Sequence, residues 1–427
     1  MQNNRKVLCL FDYKCHTGWA STSTNIIQQL KNHYGKKIQF DIIAINYFGE
    51  PIIESDGTYI ISAVKSATKI DKHGRMGFLK ILKESNDYDA IFIMEDLGVI
   101  TPMIPVIKFI RDEKIKNNKK LFKSIFYTCV DCNITNDFTS GLDFFTSVFA
   151  YTEYTSKQLL NLNPKLLNSL QIINSGINTN EFYVLDNNEN LKFRKEYFAE
   201  NADKIIFSNI NRNQSRKDMP TTIFSFVKAK EIWETKGYDR KLFLYLHCDP
   251  KDPMGWDLRL LLKQTNLVEN EDYKLLSEDF CKNGTTTEML NKIYNATDVY
   301  ITTTLGEGWG LTFVEAAVTK TPIIAPYSSS FIEMSKNSER AYMLKKFNPT
   351  ANVSDSMIRL QCNQDEVVDK ILYVAEGLIG KLDSTNNFTK LHKDMIEKAY
   401  IWATNLSWDI VGKSWIKSFG EILNIEV

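Results

Sequence analysis

The chain has 427 residues, enough for two or three domains of ordinary size, and its 43% apolar and 24% charged content suits a globular protein. Its 52 basic side chains balance 52 acidic ones, so the formal net charge is zero and a dedicated nucleic-acid binder is not expected. No apolar run reaches the length of a membrane span, and the start leads only into the short apolar stretch Val7 to Phe11, so no secretory leader is expected and a cytoplasmic location is.

In chain order, the first half alternates β-rich runs with helical ones. The predicted strands are 6–12, 38–46, 90–94, 123–129, 147–151 and 170–174, with helices over 22–31, 78–84 and 154–162 among the intervening segments. Such alternation implies a parallel sheet covered by helices on both faces. The polar stretch 186–203 carries almost no β signal and is read as a linker. A second series follows, with strands at 204–209, 242–248, 273–277, 299–303 and 322–325 and helices at 220–234 and 286–295, the latter opened by a capping box of Thr285 and Glu288. From residue 386 the tail reads as helix, with Trp408, Trp415 and Phe419 forming a packing stripe. Two Rossmann-like halves of this kind place ligands at the carboxyl ends of their strands, facing a cleft.

The most informative run is Leu305 to Glu315, Leu-Gly-Glu-Gly-Trp-Gly-Leu-Thr-Phe-Val-Glu. A strand ends before it, and Gly306, Gly308 and Gly310 permit a tight turn with exposed backbone. A helix starting near Leu311 then aims free N–H groups and the positive end of its dipole at an anion. Glu307 and Glu315 stand eight positions apart, and carboxylates beside a phosphate site suit the hydroxyls of an attached sugar. A Gly-rich strand-to-helix turn alone is often only a chain reversal; the two glutamates and Trp309 make this one specific. A basic loop, Asn209-Ile-Asn-Arg-Asn-Gln-Ser-Arg-Lys-Asp, follows the first strand of the second half. Its Arg212 offers a bidentate fork and its Lys217 a point charge to a diphosphate.

Three further segments carry polar groups at strand ends. Asp12-Tyr-Lys-Cys-His-Thr-Gly-Trp places Gly18 and His16 after the first strand, and Tyr127-Thr-Cys-Val-Asp-Cys-Asn places Asp131 after another. The seven cysteines are odd in number and scattered, as free thiols in a reducing compartment would be. Cys129 and Cys132 form a C-x-x-C without a second pair at zinc-finger spacing, so a redox or metal role is the minority reading. Asp87-Tyr-Asp89 spells D-x-D, but it precedes a strand, the wrong end of a sheet for chelating a metal diphosphate.

The run Leu305 to Glu315 resembles the E-x7-E signature of family 4 of the retaining glycosyltransferases. Arg212-x4-Lys217 is similar to that family's phosphate-binding pair, and Leu290 to Val299 to its Y-x-x-(A/S)-D-V stretch. The resemblance covers nearly the whole chain and is weaker in the first half: Gly18 stands alone where relatives have two glycines, and Val130 and Ser175 replace histidines.

The resemblance implies the α/β GT-B fold: two Rossmann-like, doubly wound parallel-sheet domains, here 1–187 and 188–407, with a C-terminal helix, 408–427, crossing back to the first. It implies a retaining hexosyltransferase using a UDP- or GDP-sugar and a glycan, lipid-linked or other acceptor. Carried over, Glu307 orients the donor sugar, Glu315 holds the ribose, and Arg212, Lys217 and the amides of Gly310, Leu311 and Thr312 stabilise the departing diphosphate. Gly18, Ser277, Gly308 and Trp309 complete the expected donor site, and Asp131 orients acceptor or sugar hydroxyls. No metal or other cofactor is expected. The segment 106–123, with seven basic residues against two acidic, is a candidate contact for anionic lipid. The competing readings are a GT-B nucleotide-sugar epimerase or phosphorylase and a non-catalytic sugar-binding subunit.

Overall fold

The computed structural model describes residues 4–66, 71–353, 355–382 and 387–426. The chain divides into two compact units. The first comprises residues 1–130, 134–176 and 406–427, and the second residues 131–133 and 177–405.

In the first unit eight strands form one sheet: β1 (Arg5–Asp12), β2 (Ile38–Ile45), β3 (Ile52–Ile53), β4 (Tyr59–Ser62), β5 (Ala90–Met94), β6 (Lys123–Thr128), β7 (Ser147–Ala150) and β8 (Leu170–Ile172). Their order is β3-β4-β2-β1-β5-β6-β7-β8, parallel throughout except for β3 against β4. The central strands β1, β2 and β5 are buried along nearly their whole length, which is why their sequences are almost uninterrupted apolar runs. Leu8, Leu10, Ile91 and Ile93 on one face pack with Phe78, Leu82, Ile107 and Leu159. On the other face the C-terminal helix Trp408–Leu423 lays Trp415 within 4.8 Å of the Tyr127 ring and 5.7 Å of Phe92, with Phe419 5.4 Å from Phe92. The same helix accepts a 2.7 Å hydrogen bond from Tyr34 at the Ile416 carbonyl. The aromatic stripe of the tail is thus core packing for the first unit. Strands β3 and β4 were not anticipated; β3 is two residues long and exposed, so it has no pattern to read.

The second unit holds a wholly parallel sheet of β9 (Ile205–Asn209), β10 (Leu242–Leu246), β11 (Tyr273–Leu275), β12 (Val299–Ile301), β13 (Ile323–Pro326) and β14 (Tyr342–Leu344). Its order is β11-β10-β9-β12-β13-β14. A separate antiparallel hairpin, β15 (Phe347–Ala351) and β16 (Ile358–Cys362), follows. The stretch read as a linker forms a helix instead, Asn187–Phe198, whose first turn is capped by the Asp186 carboxylate. The helix Thr287–Asn295 is capped by Thr286, not by Thr285: the Thr286 hydroxyl accepts from the Met289 amide, while the Thr285 hydroxyl meets His247.

In each sheet the strand order reverses at one place: between β1 and β5 in the first unit, and between β9 and β12 in the second. In open α/β sheets the crevice at the carboxyl ends of such a strand pair is where ligands lie.

Candidate functional site

The second unit's switch point joins two loops. The one after β9 passes through the short turn Ser215–Lys217 and enters the helix Met219–Thr235 by way of Asp218, which has a left-handed backbone. The one after β12 runs through the glycines into the helix Leu311–Val318, whose N-cap Gly310 is also left-handed. The expected strand at 299–303 stops at Ile301, because the next three threonines tie the loops together. Thr303 donates to the Asp218 carbonyl (2.9 Å) and shares a 2.7 Å hydroxyl contact with Thr222, and the Leu305 amide donates to the Arg216 carbonyl (2.8 Å). Beneath them, the Asn211 amide reaches Asn209, Tyr300 and Thr302, and Tyr300 in turn bonds Thr312 at the helix start (2.7 Å). These buried hydrogen bonds tie the two loops to each other and to the strand ends, although the Asn211 Oδ1 has no partner among the described residues.

On this frame stand the charged groups. Lys217 pairs with one oxygen of Glu307, and Arg216 Nη1 lies 3.1 Å from the other. Glu307 is 5% exposed. Burial alone would raise its carboxyl, but Arg216 and Lys217 outweigh that and hold it down at about 2. Burial pulls the Lys217 ammonium below its ordinary value, with Glu307 opposing. The Glu307 amide donates to Ser329, and the Trp309 carbonyl accepts from Ser330, which anchors the turn containing Gly308. The indole N–H of Trp309 is buried and has no acceptor among the described residues.

Glu315 projects from the helix and accepts a 2.8 Å hydrogen bond from Tyr294. Burial pushes its carboxyl up to about 7, although the Tyr294 hydroxyl favours the ionised form. The two glutamates of one motif are therefore shifted in opposite directions, Glu307 down by its cations and Glu315 up by burial. Tyr294 is itself fully buried, so this hydrogen bond is made within the core.

The structure does not bring every expected residue together. Arg212 is half-exposed and forked onto Asp252, at 2.6 and 3.4 Å, and does not join Lys217 and Glu307. Arg216, to which the motif assigned no role, takes the central place. Asp131 belongs to the second unit, where Arg216 Nε meets it at 3.1 Å and Arg359 at 2.9 Å. Ser277 lies at the start of the helix Glu278–Asn283 beyond β11. Gly18 begins the helix Gly18–Tyr34 in the first unit, capped by Thr17.

The first unit's switch point gathers a second set of titratable groups. Asp12, at the end of β1, accepts from Thr17 (2.5 Å) and Asn46 (3.1 Å). Glu95, just beyond β5, lies 3.1 Å from His73. Burial raises both carboxyls, and the hydrogen bond to Glu95 raises His73. His73 and Glu95 carried no motif, and only the sheet order brings them beside Asp12. In the basic segment 106–123, Lys114 is buried on the Ser85 carbonyl, Lys116 pairs with Glu113 and Lys120 with Asp89, while Lys108, Lys119 and Lys123 are exposed. The D-x-D stretch is structural, with Asp89 bound to Arg5 and Lys120. The described cysteines form no disulfide, and no described helix is long and apolar enough to cross a membrane.

No protein-family model matches the chain, and no curated protein matches it in sequence. Solved structures do match in fold. A glycosyltransferase from Rickettsia africae superposes with a TM-score of 0.69 at 15% identity, over 99% of this chain and 100% of that one. Sucrose-phosphate synthase from Thermosynechococcus elongatus gives 0.68 at 12%, over 99% and 100%. HepE of Anabaena, in complex with UDP-glucose, gives 0.66 at 11%, over 97% and 99%. The chain has the GT-B fold. Each of its two Rossmann-like units is accounted for in these superpositions, since nearly the full length is covered.

Proposed function

We propose that this GT-B chain is a nucleotide-sugar glycosyltransferase that moves a hexose from a nucleoside diphosphate to a hydroxyl acceptor with retention of configuration. The observation that supports this best is the buried cluster of Lys217, Arg216 and Glu307 beside the start of the helix Leu311–Val318. Cations and free amides at one point suit a diphosphate, and a carboxylate among them suits the sugar it carries. A carboxyl held at about 2 is too weak a base to shuttle protons at neutral pH. Glu307 therefore orients sugar hydroxyls and stabilises positive charge developing on the sugar, a role unlike the acid–base work an epimerase needs. Lys217, with Arg212 turned in from Asp252, and the amides from Gly310 to Thr312 carry the leaving diphosphate. Positive charge from the protein is proposed to serve in place of a metal ion, so a chelator leaves the rate unchanged.

HepE was solved with UDP-glucose, and the E. coli trehalose-6-phosphate structure is bound with UDP-2-fluoro glucose. UDP-sugars are accordingly the first donors to screen. The test is release of UDP only when an acceptor is present, with the sugar recovered on the acceptor in unchanged anomeric form. An epimerised donor, phosphorolysis or inert binding would each reject this reading.

Glu315 is proposed to hold the ribose diol. Ribose hydroxyls donate to the ionised carboxylate, so binding draws its value down from about 7 and expels a proton. UDP affinity then rises with pH up to about 7, where the free protein's Glu315 itself loses its proton, and levels off above that. Calorimetry in buffers of different ionisation enthalpy reads that release directly. Glu315→Gln abolishes it; a release that persists in this variant would remove Glu315 from the ribose site.

A further inference from the structure

Six charged side chains in the second unit form a single alternating chain: Asp355, Arg359, Asp131, Arg216, Glu307, Lys217. Asp355 and Arg359 share a bidentate contact, with Nη1 at 2.7 Å and Nη2 at 2.8 Å from the two carboxylate oxygens. Arg359 Nη2 also reaches Asp131 Oδ1 at 2.9 Å, and Asp131 Oδ2 meets Arg216 Nε at 3.1 Å. Arg216 then bridges to Glu307, which ends on Lys217. Three positive groups face three negative ones, so the unliganded chain of charges sums to zero.

Arg359 does not touch the expected donor residues, yet its side chain is 4% exposed, an unusual place for a guanidinium. It comes from β16, in the hairpin that stands outside the main sheet. Its Nε–H is buried and has no acceptor among the described residues, a cost retained although a smaller apolar side chain would avoid it. The Asp131 backbone passes close to Gly306, where a Cβ would lie 2.0 Å from the Asp131 carbonyl oxygen.

We propose that Arg359 is a positioning residue for transfer, acting through Asp131 to hold the Arg216 fork on Glu307. A diphosphate entering this site attracts both Arg216 and Lys217. The Arg359–Asp131 brace keeps Arg216 from following the phosphate, so Glu307 stays aligned on the sugar while Lys217 is free to turn. This rests on the function proposed above and assigns to the hairpin a part that no motif residue announces.

The test compares Arg359→Met with Arg359→Lys. In protein labelled with 15N-arginine, the Arg216 Nε–H resonance, assigned by its loss in Arg216→Lys, is protected in the native protein and lost in Arg359→Met. Turnover falls about tenfold to a hundredfold, the penalty expected of a misplaced reacting group, while the UDP dissociation constant stays within about threefold. Arg359→Lys recovers part of both signals, because its charge still meets Asp131 without the fork. If the methionine variant unfolds, the lysine variant carries the comparison, with an intermediate kcat and an unchanged UDP affinity as the expected result. A protected Arg216 resonance with native turnover in both variants would overturn the proposal, as would UDP affinity falling in step with turnover. Absence of transfer by the native protein would instead reject the proposed function, while the resonance still decides whether Arg359 holds Arg216.

Discussion

Lys217→Ala and Glu307→Gln shift UDP affinity in opposite directions, although both lower sugar transfer by about a hundredfold or more. In the unliganded protein Glu307 pairs with Lys217 as well as Arg216, so diphosphate must compete with a carboxylate for Lys217. Removing Lys217 deletes a phosphate partner and leaves Glu307 to Arg216 alone; UDP binding weakens about tenfold or more. Neutralising Glu307 leaves Arg216 and Lys217 underpaired in a buried setting, and the incoming diphosphate relieves that burial penalty; UDP binding tightens about tenfold. Titration calorimetry with UDP, run beside turnover assays, separates the two. Equal weakening in both variants would show that Glu307 only braces the fold. Breaking a buried pair costs about 3–5 kcal/mol of stability, so thermal unfolding with and without UDP must accompany the measurement.

Gly310→Ala unfolds the second unit at a temperature lower by about 6–12 °C, corresponding to a loss of about 3 kcal/mol. Gly310 has φ +100, a region that side chains strongly disfavour, and a Cβ there would lie 2.4 Å from the Phe331 ring. That ring cannot simply turn aside, because Phe313 packs on it at 5.2 Å. Backbone strain of about 1–3 kcal/mol thus adds to the overlap. Gly237→Ala is the control: it has φ +65 with nothing within 4 Å, so it shows the backbone effect alone. Differential scanning fluorimetry compares them, and equal shifts for the two variants would mean that the Phe331 contact yields freely. Because Gly310 opens the helix Leu311–Val318, its alanine variant also loses UDP affinity where the Gly237 variant does not.

Much of this protein was legible from its residues because the central strands are buried on both faces. Ala90–Met94 could be placed to the residue, and β6, β7 and β9 to within one or two, since burial demands the continuous apolar runs that reading detects. The helix start at Leu311 was equally visible, because a left-handed turn needs glycine at Gly310 and helical spacing resumes directly after it. The helix Asn187–Phe198 was missed for the opposite reason. Most of its side chains face solvent, and Phe198 is the buried one, so its composition is that of a linker. The hairpin β15–β16 was missed because Pro349 and its polar neighbours leave no pattern in β15, and the alternation from Ile358 to Cys362 in β16 spans only five residues.

Local chemistry therefore determined the strand and helix series, the Gly-rich turn and the pair Glu307 and Glu315, since each depends on neighbours a few positions away. Which charges meet was decided only by tertiary structure. Arg212 and Arg216 are four residues apart and look equivalent, yet one is forked onto Asp252 and the other placed between Asp131 and Glu307. Arg359 reaches Asp131 across 228 positions of sequence. Coulomb attraction acts on distance in space, and no spacing along the chain encodes a separation that sheet order and the hairpin alone bring down to hydrogen-bond length.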